Sequence, residues 1–260
     1  MTHAPRAEKP LPEANRKIIV ALDVETPTTA RAIINDLDGV IDTFKIGLQL
    51  FTSAGSVFVR ELVEKGVKVF LDLKFHDIPN TVAKAGVEVA RLGVWMFNVH
   101  ALGGSEMMKR TVGDVNEACS KDNLAVPQII GVTVLTSSGT DTLRETGIDR
   151  EVDDEVVYLA KLAANCGLDG VVAAPNDISL IRDAVHRPGF LIVTPGIRPK
   201  FATNDDQRRV MTPEGALFKG SDYLVIGRPI IHEQDRRAAV TKILADINAA
   251  SNSIDRNFIL

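Results

Sequence analysis

Along almost the whole chain, short apolar runs rich in β-branched residues alternate with amphipathic segments. The runs fall at 17–24 (KIIVALDV), 41–47 (IDTFKIG), 67–75, 95–101 (WMFNVHA), 127–135 (PQIIGVTVL), 169–174 (DGVVAA), 189–196 (GFLIVTPG) and 222–227 (DYLVIG). Nearly continuous in apolar residues, they read as strands covered on both faces, the situation of a parallel sheet flanked by helices. Helices are expected at 28–37, 56–65, 81–92, 105–119, 153–166, 176–185, 213–219 and 233–249. Gly39, Gly66, Gly93, Gly167 and Gly220 stand just before strands, where a helix end often needs a left-handed residue. A strict strand–helix repeat in 260 residues favours an α/β fold of the (β/α)8 TIM-barrel type over an open doubly wound sheet. One catalytic barrel domain is expected over 17–250, between a flexible, proline-rich tail (1–16) and a C-terminal tail (251–260). No Gly-x-Gly-x-x-Gly follows the first run, which counts against a dinucleotide site.

Composition narrows the function. The formal net charge of −4 argues against a general nucleic-acid binder, though not against a single phosphate pocket. The two cysteines, Cys119 and Cys166, fall in separate helical segments and read as small buried hydrophobes of a reducing compartment. No apolar run reaches membrane-spanning length, and the first sixteen residues lack the apolar stretch of a signal peptide, so a cytoplasmic protein is expected.

A barrel concentrates chemistry at the C-terminal ends of its strands, and the polar residues fall there. Asp23 closes the first strand, Lys45 lies near the end of the second, and Asp72 and Lys74 end the third. His100 ends the fourth, where structural hydrogen bonding is its expected role, and Thr136 ends the fifth. Thr194 to Arg198 follow the seventh strand, and Gly227 and Arg228 the eighth. In VFLDLKFHDIPNT (69–81), strand alternation puts Asp72 and Lys74 on one face and Leu71, Leu73 and Phe75 on the other, against the helices. A buried ion pair is a poor source of stability because desolvation offsets much of the Coulomb gain, so these charges point to chemistry. After the seventh and eighth strands, Arg198 offers a bidentate fork for phosphate, and Gly227 and Arg228 offer close backbone approach and charge. The polar loop 198–212 between them suits a lid that orders on a ligand.

The D-x-K-x-x-D pattern of Asp72, Lys74 and Asp77 is shared by a wide group of barrels. With FKIG, LTS, TPGIRP, DQRR and IGRPI in order around it, the chain from about Lys17 to Ala249 resembles the bacterial-type orotidine 5'-phosphate decarboxylase family. The segment KFATN (200–204) has no counterpart among these motifs. The resemblance implies a carboxy-lyase that converts orotidine 5'-phosphate to uridine 5'-phosphate (UMP) and CO2, the last step of UMP synthesis, without metal or cofactor. It implies that Lys74 donates the proton to C6 of the pyrimidine, that Asp72 is set against the departing carboxylate, and that Lys45 holds Asp72 and reaches the ribose. It implies a homodimer in which Asp77 and Thr81 serve the neighbouring subunit's site. Asp23 resembles a ribose-hydroxyl acceptor and Thr136 a residue at the pyrimidine edge. Gln207, Gly227 and Arg228 resemble phosphate ligands, with Arg198 beside them. Whether Asp72 stresses the substrate or orients Lys74 stays open on sequence grounds.

The chemistry fits these residues independently. Loss of CO2 from C6 leaves an electron pair in the ring plane with no carbonyl to delocalise it, so an ammonium aimed at that point is the available stabiliser. Three rivals remain. A magnesium-dependent sugar-phosphate decarboxylase or aldolase of the wider group typically carries an acid in the second strand, where this chain has Lys45. A metal hydrolase built on Asp72, His76, Asp77 and His100 would have lysines crowding its metal. A non-catalytic phosphate-ligand sensor does not need Lys74.

Overall fold

The computed structural model describes residues 11–202 and 210–257, with side chains described as far as residue 250. Eight parallel strands close into a barrel in sequence order: β1 (Ile18–Ala21), β2 (Thr43–Gly47), β3 (Lys68–Phe75), β4 (Met96–His100), β5 (Gln128–Val132), β6 (Gly170–Val172), β7 (Leu191–Thr194) and β8 (Tyr223–Ile226). Closure comes from pairing of Ile18, Ile19 and Val20 with Leu224, Val225 and Ile226. The (β/α)8 expectation is thus met.

Strand alternation separates two cores. Ile18, Val20, Leu22, Phe44, Ile46, Val69, Leu71, Phe97 and Val99 face the surrounding helices and join one large buried cluster. The intervening Ile19, Ala21, Phe70, Met96, Ile130, Val193 and Val225 fill the barrel itself. Trp95 and Tyr223 meet edge to face, 5.1 Å between ring centroids, and pack against the same inner cluster at the N-terminal end of the strands. The interior is therefore a filled plug, and truncating a ring such as Phe70 costs about 3–5 kcal/mol. The plug leaves the C-terminal ends of the strands as the open end of the barrel.

Several elements differ from expectation. The helix after β2 begins at once, Leu48–Glu64, with a break at Gly55 (φ 70), where a left-handed backbone suits glycine. The polar connection after β5 contains a short helix, Thr140–Glu145, and another, Arg228–Ile231, directly follows β8. The helix expected at 176–185 is split into a 3-10 turn, Pro175–Asp177, and Ile178–Ala184. The described part of the expected loose tail includes a helical turn, Glu13–Arg16, docked by Asn15 Nδ2 donating to the Val40 carbonyl at 3.0 Å. At the other end, helix Arg236–Asn257 continues past residue 250. Among the described residues, no helix is long and apolar enough to cross a membrane.

Candidate active site

The open end of the barrel holds a cavity of about 440 Å³. Four side chains of alternating charge run along its wall. Lys45 Nζ lies 2.9 Å from Asp23 Oδ1 and 3.4 Å from Asp72 Oδ2, and Lys74 Nζ lies 2.7 Å from Asp72 Oδ1. Asp23 is 56% exposed in its side chain, whereas Lys45 and Asp72 are nearly enclosed at 10% and 13%. Such enclosure would ordinarily favour neutral groups. Burial does push the Lys45 ammonium toward deprotonation, but Asp72 and Asp23 outweigh it and hold its pKa above the usual lysine value. Burial pushes Asp72 up in the same way, and Lys45, Lys74 and Asn98 together bring it below the usual carboxylate value. Both middle members of the chain therefore stay charged.

The third strand achieves this with an irregular backbone. From Leu71 to Phe75 it advances four residues while β4 advances two, from Phe97 to Val99, so a bulge carries two extra residues. Lys74 sits in it at φ 52, a left-handed conformation costing a non-glycine residue about 1–3 kcal/mol. Leu73 and Phe75 still pack against the helix-facing core, as alternation implied. Gly47, at the end of β2, keeps the neighbouring space clear: a Cβ there would stand 3.1 Å from Lys45 Nζ and 3.5 Å from Asp23 Oδ1.

Asn98, in the middle of β4, was not among the expected site residues. It is fully buried; its Oδ1 accepts from the Lys74 backbone N–H at 2.8 Å, and its Nδ2 donates to Asp72 Oδ1 at 2.7 Å. The available signal was an amide on the inward-facing register of Met96, where a buried polar group needs partners.

Thr136, Arg198, Gly227 and Arg228 line the same cavity as the four-charge chain, and so does His232, which the sequence did not single out. Arg198 is buried, with its backbone N–H donating to the Met211 carbonyl at 2.8 Å. Gly196, at φ 79, makes the turn that leads into it. An isolated parallel bridge between Ile197 and Met211 closes the base of the expected lid. Gln207 lies outside the described residues.

Asp77 and Thr81 do not line the cavity. Both are exposed, and Asp77 Oδ1 accepts from the Ile78 N–H at 2.6 Å at the start of helix Pro79–Arg91. Thr194 is likewise elsewhere, buried and hydrogen-bonded to Ser221 at 2.8 Å. His100 stacks on His76, 5.3 Å between centroids, and among the described residues its buried Nδ1 meets no hydrogen-bond partner. Burial, with His76 and Lys74 nearby, lowers its pKa to about 4. Among the described residues, no three His, Cys, Asp or Glu side chains form a metal-ligand group.

Comparison with known proteins converges on one family. The model of the orotidine 5'-phosphate decarboxylase / HUMPS family matches residues 16–243. The orotidine 5'-phosphate decarboxylase of Syntrophotalea carbinolica is 52% identical over 240 residues, covering 92% of this chain and 98% of that protein. Its namesake from Geobacter sulfurreducens is 51% identical over 237 residues, covering 91% and 98%. The crystal structure of orotidine 5'-phosphate decarboxylase from Lactobacillus acidophilus superposes with a TM-score of 0.79 at 37% identity, covering 90% of this chain and 99% of that one.

Proposed function

The chain belongs to the orotidine 5'-phosphate decarboxylase / HUMPS family, and from that premise we propose how its barrel mouth performs the family's decarboxylation. The chain converts orotidine 5'-phosphate to UMP and CO2 in pyrimidine biosynthesis. The observation that carries the mechanism is the alternating chain Asp23–Lys45–Asp72–Lys74 on the wall of the cavity.

The pyrimidine lies with C6 toward Lys74 and its carboxylate near Asp72. When the bond from C6 to the carboxylate breaks, CO2 departs and the electron pair stays on C6. Lys74 donates its proton there and is reprotonated from solvent, so one proton is consumed per turnover. At about 4 Å an ammonium and a carbanion attract by roughly 4 kcal/mol at an effective dielectric near 20. Slow reactions of this kind need about 20 kcal/mol, so the rest must come from fixed geometry, water exclusion and binding energy at the remote phosphate. Lys45 and Asp23 face the ribose, and Thr136 the pyrimidine edge. Arg198, Gly227, Arg228 and Gln207 hold the phosphate. The address after the seventh and eighth strands supports this last assignment.

The active form is a homodimer in which Asp77 and Thr81 complete the neighbouring site. Their exposure away from their own cavity supports this, as do the exposed Ile78 and Leu102, which follow two consecutive strands and do not line that cavity either. The test is the loss of ultraviolet absorbance of orotidine 5'-phosphate with EDTA present. Turnover that resists EDTA, disappears in Lys74→Ala and leaves UMP binding in that variant is the expected result. Near-normal kcat in Lys74→Ala refutes the proton-donor role.

A further inference from the structure

We infer that Asn98 is a positioning residue that holds Lys74 in its left-handed backbone conformation and keeps Asp72 an ionised acceptor, which deepens the role given to Lys74 above. Four groups close a ring. The Lys74 backbone N–H donates to Asn98 Oδ1 at 2.8 Å, and Asn98 Nδ2 donates to Asp72 Oδ1 at 2.7 Å. The same Asp72 oxygen accepts from Lys74 Nζ at 2.7 Å. The amide orientation follows from chemistry: a backbone N–H only donates, so the carbonyl oxygen faces it and the NH2 group faces the carboxylate.

No common substitute does both jobs. A leucine would leave the Lys74 N–H and one Asp72 lone pair unsatisfied in a fully buried place. Serine is too short to span both partners. An aspartate would set a carboxylate oxygen against Asp72, and two carboxylates in contact tend to share one proton. The bulge that places Lys74 has two extra residues and a strained φ, so it depends on contacts from β4 for its shape, and the Asn98 acceptor is a polar side-chain contact among these.

The test compares Asn98→Ala and Asn98→Asp with the wild type and Lys74→Ala. Asn98→Ala should lower kcat by about 100-fold, as expected for a catalytic group displaced by about an ångström, while the Kd for UMP changes less than about threefold. Asn98→Asp adds a signature that a purely structural role does not move. When its carboxyl is protonated, O–H replaces N–H toward Asp72 and C=O still accepts from Lys74. Its kcat relative to wild type should therefore rise as pH falls from about 8 to about 5.5, while the same ratio for Asn98→Ala stays flat. If Asn98→Ala does not fold, the pH trend of the isosteric Asn98→Asp decides alone. Asn98→Ala with kcat within threefold of wild type, or a flat ratio for Asn98→Asp, overturns the inference. If Lys74→Ala also retains kcat, the proton-donor assignment fails instead.

Discussion

Asp72→Asn tests whether the four charges act as a connected chain. In the wild type the Asp72 oxygens stand 2.7 Å from one ammonium and 3.4 Å from another. At an effective dielectric of about 20 each contact represents roughly 5–6 kcal/mol of gross attraction, most of it offset by desolvation. Neutralising the shared acid leaves Lys45 enclosed with only the half-exposed Asp23 opposite it. Removing one partner of a buried ion pair typically costs about 3–5 kcal/mol, and that loss is expected at neutral pH, as a lower urea midpoint with an unchanged slope. Lys45 supplies a second readout. Its pKa is raised in the fold, so its stabilising effect is complete below the ordinary lysine value of 10.5 and is lost as pH rises through the folded value. That alkaline decline should be shallower in Asp72→Asn, because the charge of Asp72 opposes the burial of Lys45 more strongly than that of Asp23.

The decisive step adds Lys45→Met. In the wild type this change strands Asp72 with one lysine fewer and should destabilise. In the Asp72→Asn background it removes an uncompensated buried cation and should restore about 1 kcal/mol or more. Equilibrium urea unfolding of all four proteins completes the cycle. Costs that add within about 0.5 kcal/mol would refute the coupling and leave the four charges as independent groups.

Three further outcomes are expected. Equal mixtures of inactive Lys74→Ala and Asp77→Ala, after subunit exchange, should recover up to about a quarter of wild-type activity, because half the dimers then carry one intact site of two; no recovery under proven exchange counts against delivery of Asp77 to the partner. Arg228→Ala should lose much of its catalytic deficit on a substrate lacking the phosphate, and the deficit should return when free phosphite is added to that substrate; equal deficits on whole and truncated substrates without phosphite would remove Arg228 from the phosphate site. His100, neutral in the fold down to about pH 4, disfavours folding as pH drops below its ordinary value of 6.5, since the unfolded chain then binds the proton first. His100→Phe keeps a ring against His76 and should lose about 1–2 kcal/mol less than wild type between pH 7 and pH 4.5, a figure already reduced for solvent screening; parallel acid denaturation curves would contradict this.

The barrel was legible because nearly continuous apolar strands and intervening helices repeat with little interruption, and because charges at strand ends violate the apolar pattern where a barrel places chemistry. Asp72, Lys74, Lys45 and Asp23 were found that way. Alternation also sorted Leu71, Leu73 and Phe75 from the charged pair, although the backbone between them is a bulge and not a regular strand. Nothing local marks Lys74 for φ 52; its support comes from Asn98, 24 residues away. The short helices Glu13–Arg16, Thr140–Glu145 and Arg228–Ile231 were invisible for a related reason. Helices of four to six residues do not hold by propensity, and Thr140–Glu145 leans on tertiary partners, Thr140 and Arg144 both binding Glu151 at 2.9 and 2.8 Å. The N-terminal turn likewise depends on Asn15 reaching Val40.

Both roles open to Asp72, stressing a substrate carboxylate or orienting Lys74, require that it stay ionised while enclosed. Burial alone would protonate it, and a protonated acid would neither repel a carboxylate nor hold an ammonium. Three donors prevent this: Lys74, Lys45 and Asn98. That the third is neutral matters. A further cation at Asn98 would hold Asp72 ionised more firmly, but it would stand beside Lys74 and favour loss of the proton that C6 must receive. The amide satisfies the carboxylate without adding charge, and its other end fixes the backbone from which Lys74 projects. Electrostatic stabilisation of a carbanion depends on donors already in place when charge develops. On the proposed mechanism, the residue that supplies that preorganisation next to Lys74 is uncharged and lies in the neighbouring strand.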